Sequence, residues 1–311
     1  MSASVLDFLP INISNFIEED KRIEIDDIIE IRLRINQKLQ ILTRENEIVP
    51  KDNSGKNYIV EKKDLERSFL ILSKNSYYAL ERQIAEGFIT IPGGHRVGFT
   101  GQAVLEKGKI KSLKNINFIN YRISHEIIGL ANDLFLKIYN QKENRVYNTM
   151  LIGPPLCGKT SLLRDLIRII SDGDACIKFK GKKIGLVDER SEIAGAYNAI
   201  PQNNIGSRTD LLDNCPKAAG MMLLIRSMSP EVIAVDEIGS KEDVLAVQEA
   251  ISAGVSLLTT VHGQDLDCIM IRPFVKELFN IKVFERYIIL SNRNGIGTIE
   301  KILDRNAQEV V

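Results

Sequence analysis

Val146 to Ile170 reads VYNTMLIGPPLCGKTSLLRDLIRII, and this stretch decides the fold. A β-rich run leads into Gly153-Pro154-Pro155-Leu156-Cys157-Gly158-Lys159-Thr160, which fits GxxxxGK[ST], and a strong helix former follows at once. Phosphate binding asks for this spacing. The loop must curl so that successive backbone N–H groups converge on the phosphates, with glycine wherever a Cβ would clash. Lys159 is then placed to reach the β- and γ-phosphates, and the Thr160 hydroxyl to ligate magnesium. Ser161 sits in the first turn of the helix, whose positive end faces the same anions. The pattern arises by chance roughly once in a hundred chains of this length. A strand before it and a helix after it are the surroundings the motif requires, so ATP with Mg²⁺ is the expected ligand.

Downstream, strands and helices alternate. Strands are expected at Val146 to Ile152, Lys183 to Val187, Val232 to Val235 and Ser256 to Val261. Helices are expected at Thr160 to Ile170, Lys217 to Met228 and Lys241 to Ala253. This rhythm predicts an α/β fold with a mostly parallel sheet covered on both faces. Tyr287 to Leu303 reads as two further strands around Asn294-Gly295. In such a sheet the ligand lies at the carboxyl ends of the strands. Val232 to Glu237 (VIAVDE) therefore brings Asp236 to the magnesium and Glu237 to the attacking water. The Asp-Glu pair favours ATP hydrolysis over a slow GTP switch. Asp188, Glu189 and Glu192 follow another strand, where a solvated acidic turn is the simpler reading. Thr260 and His262 end a further strand and are candidates to sense the γ-phosphate, although a His satisfied by its own turn is common.

Upstream, the first 125 or so residues form a different, α+β pattern. Glu30 to Thr43 alternates as a strand or hairpin, and Lys63 to Gln83 has helical spacing of Leu65, Phe69, Leu72 and Tyr78. Phe88 to Gly101 reads as two short strands broken at Gly93-Gly94, and Asn115 to Ile123 as another strand. Ser124 to Asn140 is expected to be a linking helix capped by Ser124. The expected organisation is a module over 1–125 and the P-loop domain over 126–311.

Composition narrows the class. Lys plus Arg (41) equals Asp plus Glu (41), so no overall positive field draws the chain to nucleic acid or an anionic membrane. No run approaches the ~18 apolar residues of a spanning helix. The N-terminal residues lack the basic region of a signal peptide and read as an amphipathic segment packed on the body. Cys157, Cys176, Cys215 and Cys268 form no CxxC pair, which argues against a zinc site and suits reduced thiols in the cytoplasm.

Four segments in order carry a resemblance: the P-loop, Val187 to Glu192 (VDERSE), Pro230 to Ile238 (PEVIAVDEI) and Thr259 to His262 (TTVH). Together they resemble the RecA-like ATPases of the type II and type IV secretion superfamily. GPPLCGKTSLLRDLIR, VDERSEIAG, CPKAAGMMLLIRSMSPEVIAVDEIG and TTVHG are similar to its sporulation branch in endospore-forming bacteria. The resemblance implies a RecA-like ATPase domain with a smaller N-terminal α+β domain. It further implies a ring-shaped homo-oligomer, a hexamer, in the mother-cell cytoplasm. That ring would dock on a membrane-embedded channel complex joining mother cell and forespore, and power its assembly or transport through it. The departures are Leu156 where Gly is frequent, Ser161 where a second Thr is common, and Asp236 where Gly commonly precedes the catalytic Glu. The last leaves water activation open between Glu237 and Glu189.

Ring ATPases complete the site with an arginine from elsewhere. Arg96, on a glycine-rich hairpin, leads Arg122, Arg190 and Arg208 as that candidate. Two rivals remain from other classes. One is a RecA-like motor or single-strand binder working on nucleic acid, which the balanced charge and the lack of an aromatic-basic stripe oppose. The other is a scaffold that binds ATP to assemble and scarcely turns over.

Overall fold

The computed structural model describes residues 5–73 and 87–310, which divide into two compact units, Met1–His125 and Glu126–Val311.

The first unit is built on an antiparallel sheet. Its strands are β1 (Ile28–Arg34), β2 (Gln40–Thr43), β3 (Glu47–Ile48), β4 (Phe88–Ile91), β5 (His95–Glu106) and β6 (Lys109–Arg122), in spatial order β3-β2-β1-β6-β5-β4. The period-2 pattern buries Ile31, Leu33, Ile41, Val97 and Tyr121 on one face. The helix Ile11–Glu19 seals part of that core with Ile13 and Ile17, so the N-terminal segment packs as its amphipathic pattern predicts. The helix expected from Lys63 runs over Lys62–Ser73; the remainder of that expectation, including Tyr78, lies outside the described residues. Gly93 and Gly94, at φ 86° and 72°, make the turn between β4 and β5.

The second unit opens with β7 (Tyr139–Asn140), β8 (Arg145–Val146) and β9 (Thr149–Gly153). It continues with β10 (Gly173–Asp174), β11 (Phe179–Lys180), β12 (Ile184–Asp188), β13 (Thr209–Asp213), β14 (Val232–Glu237) and β15 (Ser256–His262). It closes with β16 (Arg286–Ser291) and β17 (Thr298–Asp304). Seven of these form one sheet in the order β13-β12-β14-β15-β9-β16-β17, parallel except for β17. β9 and β12 are buried along their whole length, as continuous apolar runs require in a sheet covered on both sides. One face is covered by the helix Lys159–Asp172 through Leu162, Leu163, Leu166 and Ile170. The other is covered by Lys217–Met228 and Lys241–Ser252 through Met221, Leu224, Val244 and Val247.

Two expectations need correction. Ser124 caps no helix: its N–H donates to His95 Nδ1, the chain turns at Gly129 (φ 88°), and the helix begins only at Asn132. The expected strand from Val146 breaks at Tyr147-Asn148, because Val146 pairs with Tyr139 while the central strand starts at Thr149. The edge strand β13 gave no sequence signal, since Asp210 and Asp213 frame only Leu211 and Leu212, all half-buried. Among the described residues no helix is long and apolar enough to cross a membrane.

Candidate nucleotide-binding site

The P-loop leaves the carboxyl end of β9, flanked by the ends of β15 and β16. His262 pairs in register with Gly153, and Thr260 with both Leu151 and Glu237. These strand ends enclose a cleft of about 850 Å³. Pro155 to Ser161 line its floor, Cys157 excepted, and Asp236, Glu237, Thr260 and His262 one wall. Gly153 and Pro154 contribute backbone rather than lining, and the Cys157 side chain is fully buried.

The loop's curl is written in its dihedrals. Gly158 has φ 93°, and a Cβ there would lie 2.4 Å from Ile296 Cγ2 and 2.9 Å from the Gly297 nitrogen. Leu156 takes φ 63°, the left-handed region, which costs a side-chain-bearing residue roughly 1 kcal/mol. The prevalence of Gly at this position in similar loops thus has a backbone cause. Lys159 is 6% exposed, and its ammonium donates to the carbonyls of Gly153 (2.8 Å) and Pro154 (2.7 Å). Burial lowers its proton affinity, opposed by its electrostatic interactions with neighbouring Cys157 and with the carboxylates of Glu237 and Asp236.

Across the cleft, Asp236 Oδ1 accepts the Thr260 hydroxyl at 3.1 Å, and the Thr259 hydroxyl donates to the Asp236 carbonyl at 2.8 Å. Thr260 therefore acts through Asp236, holding its carboxylate in one rotamer. Glu237 meets His262 Nε2 at 3.6 Å and Arg272 at 3.1 Å. Arg272 escaped the sequence reading because it lies 35 residues beyond its partner, in the link between the helices Leu266–Met270 and Pro273–Asn280.

The acidic box divides by function. Asp188 is fully buried and accepts the N–H groups of Glu192, Ile193 and Ala194 at 2.8–2.9 Å. Burial outweighs those hydrogen bonds and pushes its carboxyl up to about 6. Asp188 shapes the loop and does not face the cleft. Glu189 does face it, paired with Lys217 at the start of the next helix. Buried Arg164, on the helix that follows the P-loop, donates to the carbonyls of Glu192 and Ile193 and so ties the box to the phosphate loop.

The arginine candidates separate as well. Arg190 lines the cleft and is exposed. Arg208 is occupied in capping the carbonyls of Ser171 and Asp172. Arg96 and Arg122 belong to the first unit, where Arg96 lies 4.6 Å over the Phe88 ring and Arg122 faces Glu30 at 3.9 Å.

Thr160 and Asp236 offer one hydroxyl and one carboxylate to a common space, and no group of three or more His, Cys, Asp or Glu able to hold a metal occurs among the described residues. Such a sparse, hard-oxygen donor set fits Mg²⁺, which keeps waters and substrate phosphates as its other ligands.

The family model described as "Sporulation stage III, protein AA" matches residues 2–310. "Stage III sporulation protein AA" of Bacillus subtilis (strain 168) is 41% identical over 305 residues, covering 97% of this chain and 95% of that protein. "Uncharacterized protein ycf45" of Porphyra purpurea is 30% identical over 162 residues, 51% of this chain and 27% of its own. Among solved structures, the Legionella pneumophila ATPase DotB superposes with a TM-score of 0.59 at 16% identity, covering 90% of this chain and 76% of that one. The pilus retraction motor PilT with bound ADP gives 0.56 at 15% identity, covering 92% and 78%. At such identities the likeness is one of fold, and that fold is the RecA-like one.

Proposed function

Since the chain belongs to the sporulation stage III protein AA family, we propose that it is a magnesium-dependent ATPase of the secretion-ATPase type. The observation that carries this reading is one cleft with Lys159 and Thr160 on its floor and Asp236 and Glu237 on its wall. On binding, the Lys159 ammonium exchanges its two carbonyl partners for phosphate oxygens. Thr160 and Asp236 would hold Mg²⁺, which would supply charge neutralisation on the phosphate oxygens. Glu237, steered by Arg272 and His262, orients the attacking water and accepts its proton. Glu189, paired with Lys217 as Glu237 is with Arg272, is the alternative acid for that task.

The working form is a homo-oligomer, a hexamer, in which Arg96 or Arg190 of one subunit completes the site of the next. It acts in the mother-cell cytoplasm, docked on the membrane-embedded channel complex shared with the forespore, and powers assembly or transport there.

The test is Mg-ATP hydrolysis per subunit across a range of protein concentrations, beside Lys159→Ala. A rate that rises with concentration and vanishes in the variant supports a site completed between subunits. Turnover that stays flat, or is absent while ATP still binds, moves the ATP-gated scaffold ahead. Strong stimulation by DNA or RNA would favour the nucleic-acid motor.

A further inference from the structure

Resting on this reading of the phosphate site, we propose that the turn between β16 and β17 is its nucleobase subsite. There Ile296 and Leu156 take a purine ring by apolar contact alone, so that ATP and GTP bind with little discrimination.

Sheet order gives the direction. β9 and its P-loop stand between β15 and β16. Asp236, Glu237, Thr260 and His262 all end strands on the β15 side, so the γ-phosphate and its chemistry face that way. A nucleotide laid across the loop then sends its ribose and base toward the β16 side. The turn joining β16 to β17 waits there, and Ile296 lines the same cleft.

The turn is fastened to the P-loop rather than merely near it. The Gly297 N–H donates to the Cys157 carbonyl at 2.8 Å. Ile296 occupies the space a side chain on Gly158 would need, and Leu130 supports Gly297 from beneath, 3.0 Å from where its Cβ would stand. The phosphate loop and the turn thus form one surface of fixed geometry, which suits a flat ring.

Its chemistry is aliphatic. Leu156 is 87% exposed and Ile296 53%, two large apolar side chains at the mouth of a site made for polyanions. Leu156 holds its place in a left-handed conformation that glycine would adopt freely, so its side chain is kept at a cost. The side chains of Pro155, Leu156 and Ile296 present neither donor nor acceptor. A purine face is covered by such a surface, while the edge groups that separate adenine from guanine stay in water. Discrimination of bases by 10⁴-fold or so needs a buried polar partner for those edges.

The experiment is isothermal titration of the full chain with Mg-ATP, Mg-GTP and Mg-tripolyphosphate, for the wild type, Ile296→Ser and Leu156→Gly. The wild type should bind ATP and GTP within about threefold of one another, and tripolyphosphate about tenfold or more weaker, the worth of one buried side chain. Ile296→Ser should weaken ATP and GTP alike by about tenfold and leave tripolyphosphate unchanged, and Leu156→Gly should weaken both nucleotides more than it weakens tripolyphosphate. A wild type that prefers ATP by two orders of magnitude or so overturns the inference, as does an ATP affinity indifferent to both substitutions. Equal loss of tripolyphosphate in both variants would make them loop defects and likewise sink it. If the wild type binds neither nucleotide nor tripolyphosphate, the phosphate-site reading itself fails.

Discussion

Arg272 donates to Oε1 of Glu237 at 3.1 Å, while Nε2 of His262 faces the other carboxylate oxygen at 3.6 Å. A carboxylate that must orient water gains from a cation fixing its rotamer, since positioned proton transfer contributes about 10²–10⁴-fold. Arg272→Ala should lower kcat by about tenfold or more with little change in KM for ATP, and Arg272→Lys should recover part of it. In a Glu237→Gln background the same substitution should cost nothing further, because both act through one carboxylate. Steady-state kinetics of the five proteins decide the matter; an additive loss in the double variant would refute the coupling.

Asp188 is an acid whose value in the native state stands at about 6 against 3.8 for the ordinary side chain. The folded state therefore binds the proton more tightly than the unfolded one between those values. Its contribution to stability is fully present below pH 3.8 and is lost as pH rises through about 6. The whole effect is about 3 kcal/mol at 1.36 kcal/mol per pKa unit. Denaturant unfolding from pH 4 to 7 should show the wild type losing stability relative to Asp188→Asn as pH rises. A gap between the two that is constant with pH would contradict it.

How far the sequence could lead depended on whether a feature was local. GxxxxGKT carries its own geometry, so the P-loop and the helix Lys159–Asp172 were legible, and the apolar run into Asp236-Glu237 marked the opposite wall. Spacing could not show that the box beginning at Asp188 splits, with Asp188 turned inward to three amides and Glu189 outward to Lys217, because alternate burial at a strand end is set by the fold. Arg272 was illegible for the same reason: its partner comes to it through tertiary packing across 35 residues. Ser124 misled because a capping residue before an apolar-periodic run resembles a helix start, while His95, the actual partner of its N–H, lies 29 residues away.

Gly158→Ala should disable the loop. At φ 93° a Cβ is strained, and it would meet Ile296 and the backbone nitrogen of Gly297, which cannot rotate away. The expected loss is about 1–3 kcal/mol of stability with abolished tripolyphosphate binding. Thermal unfolding with and without Mg-tripolyphosphate reads both. A variant that keeps wild-type binding would show that the turn yields to the P-loop.

Lys159 holds the Gly153 and Pro154 carbonyls from a buried position, so its removal should have two separable effects. Without nucleotide, Lys159→Met leaves those carbonyls short of a charged donor, which should cost about 1–3 kcal/mol. With nucleotide, the wild type gains about 2.7 kcal/mol at a hundredfold excess of ligand over Kd. The variant, lacking the charge that meets the β- and γ-phosphates, should gain almost nothing. Unfolding midpoints for both proteins, with and without Mg-ATP, give the four numbers needed. If the variant is as stable as wild type without nucleotide, the carbonyl contacts contribute nothing to the free state. If it still gains stability from Mg-ATP to the same extent, the phosphates are held without Lys159, and the central assignment of the cleft has to be abandoned.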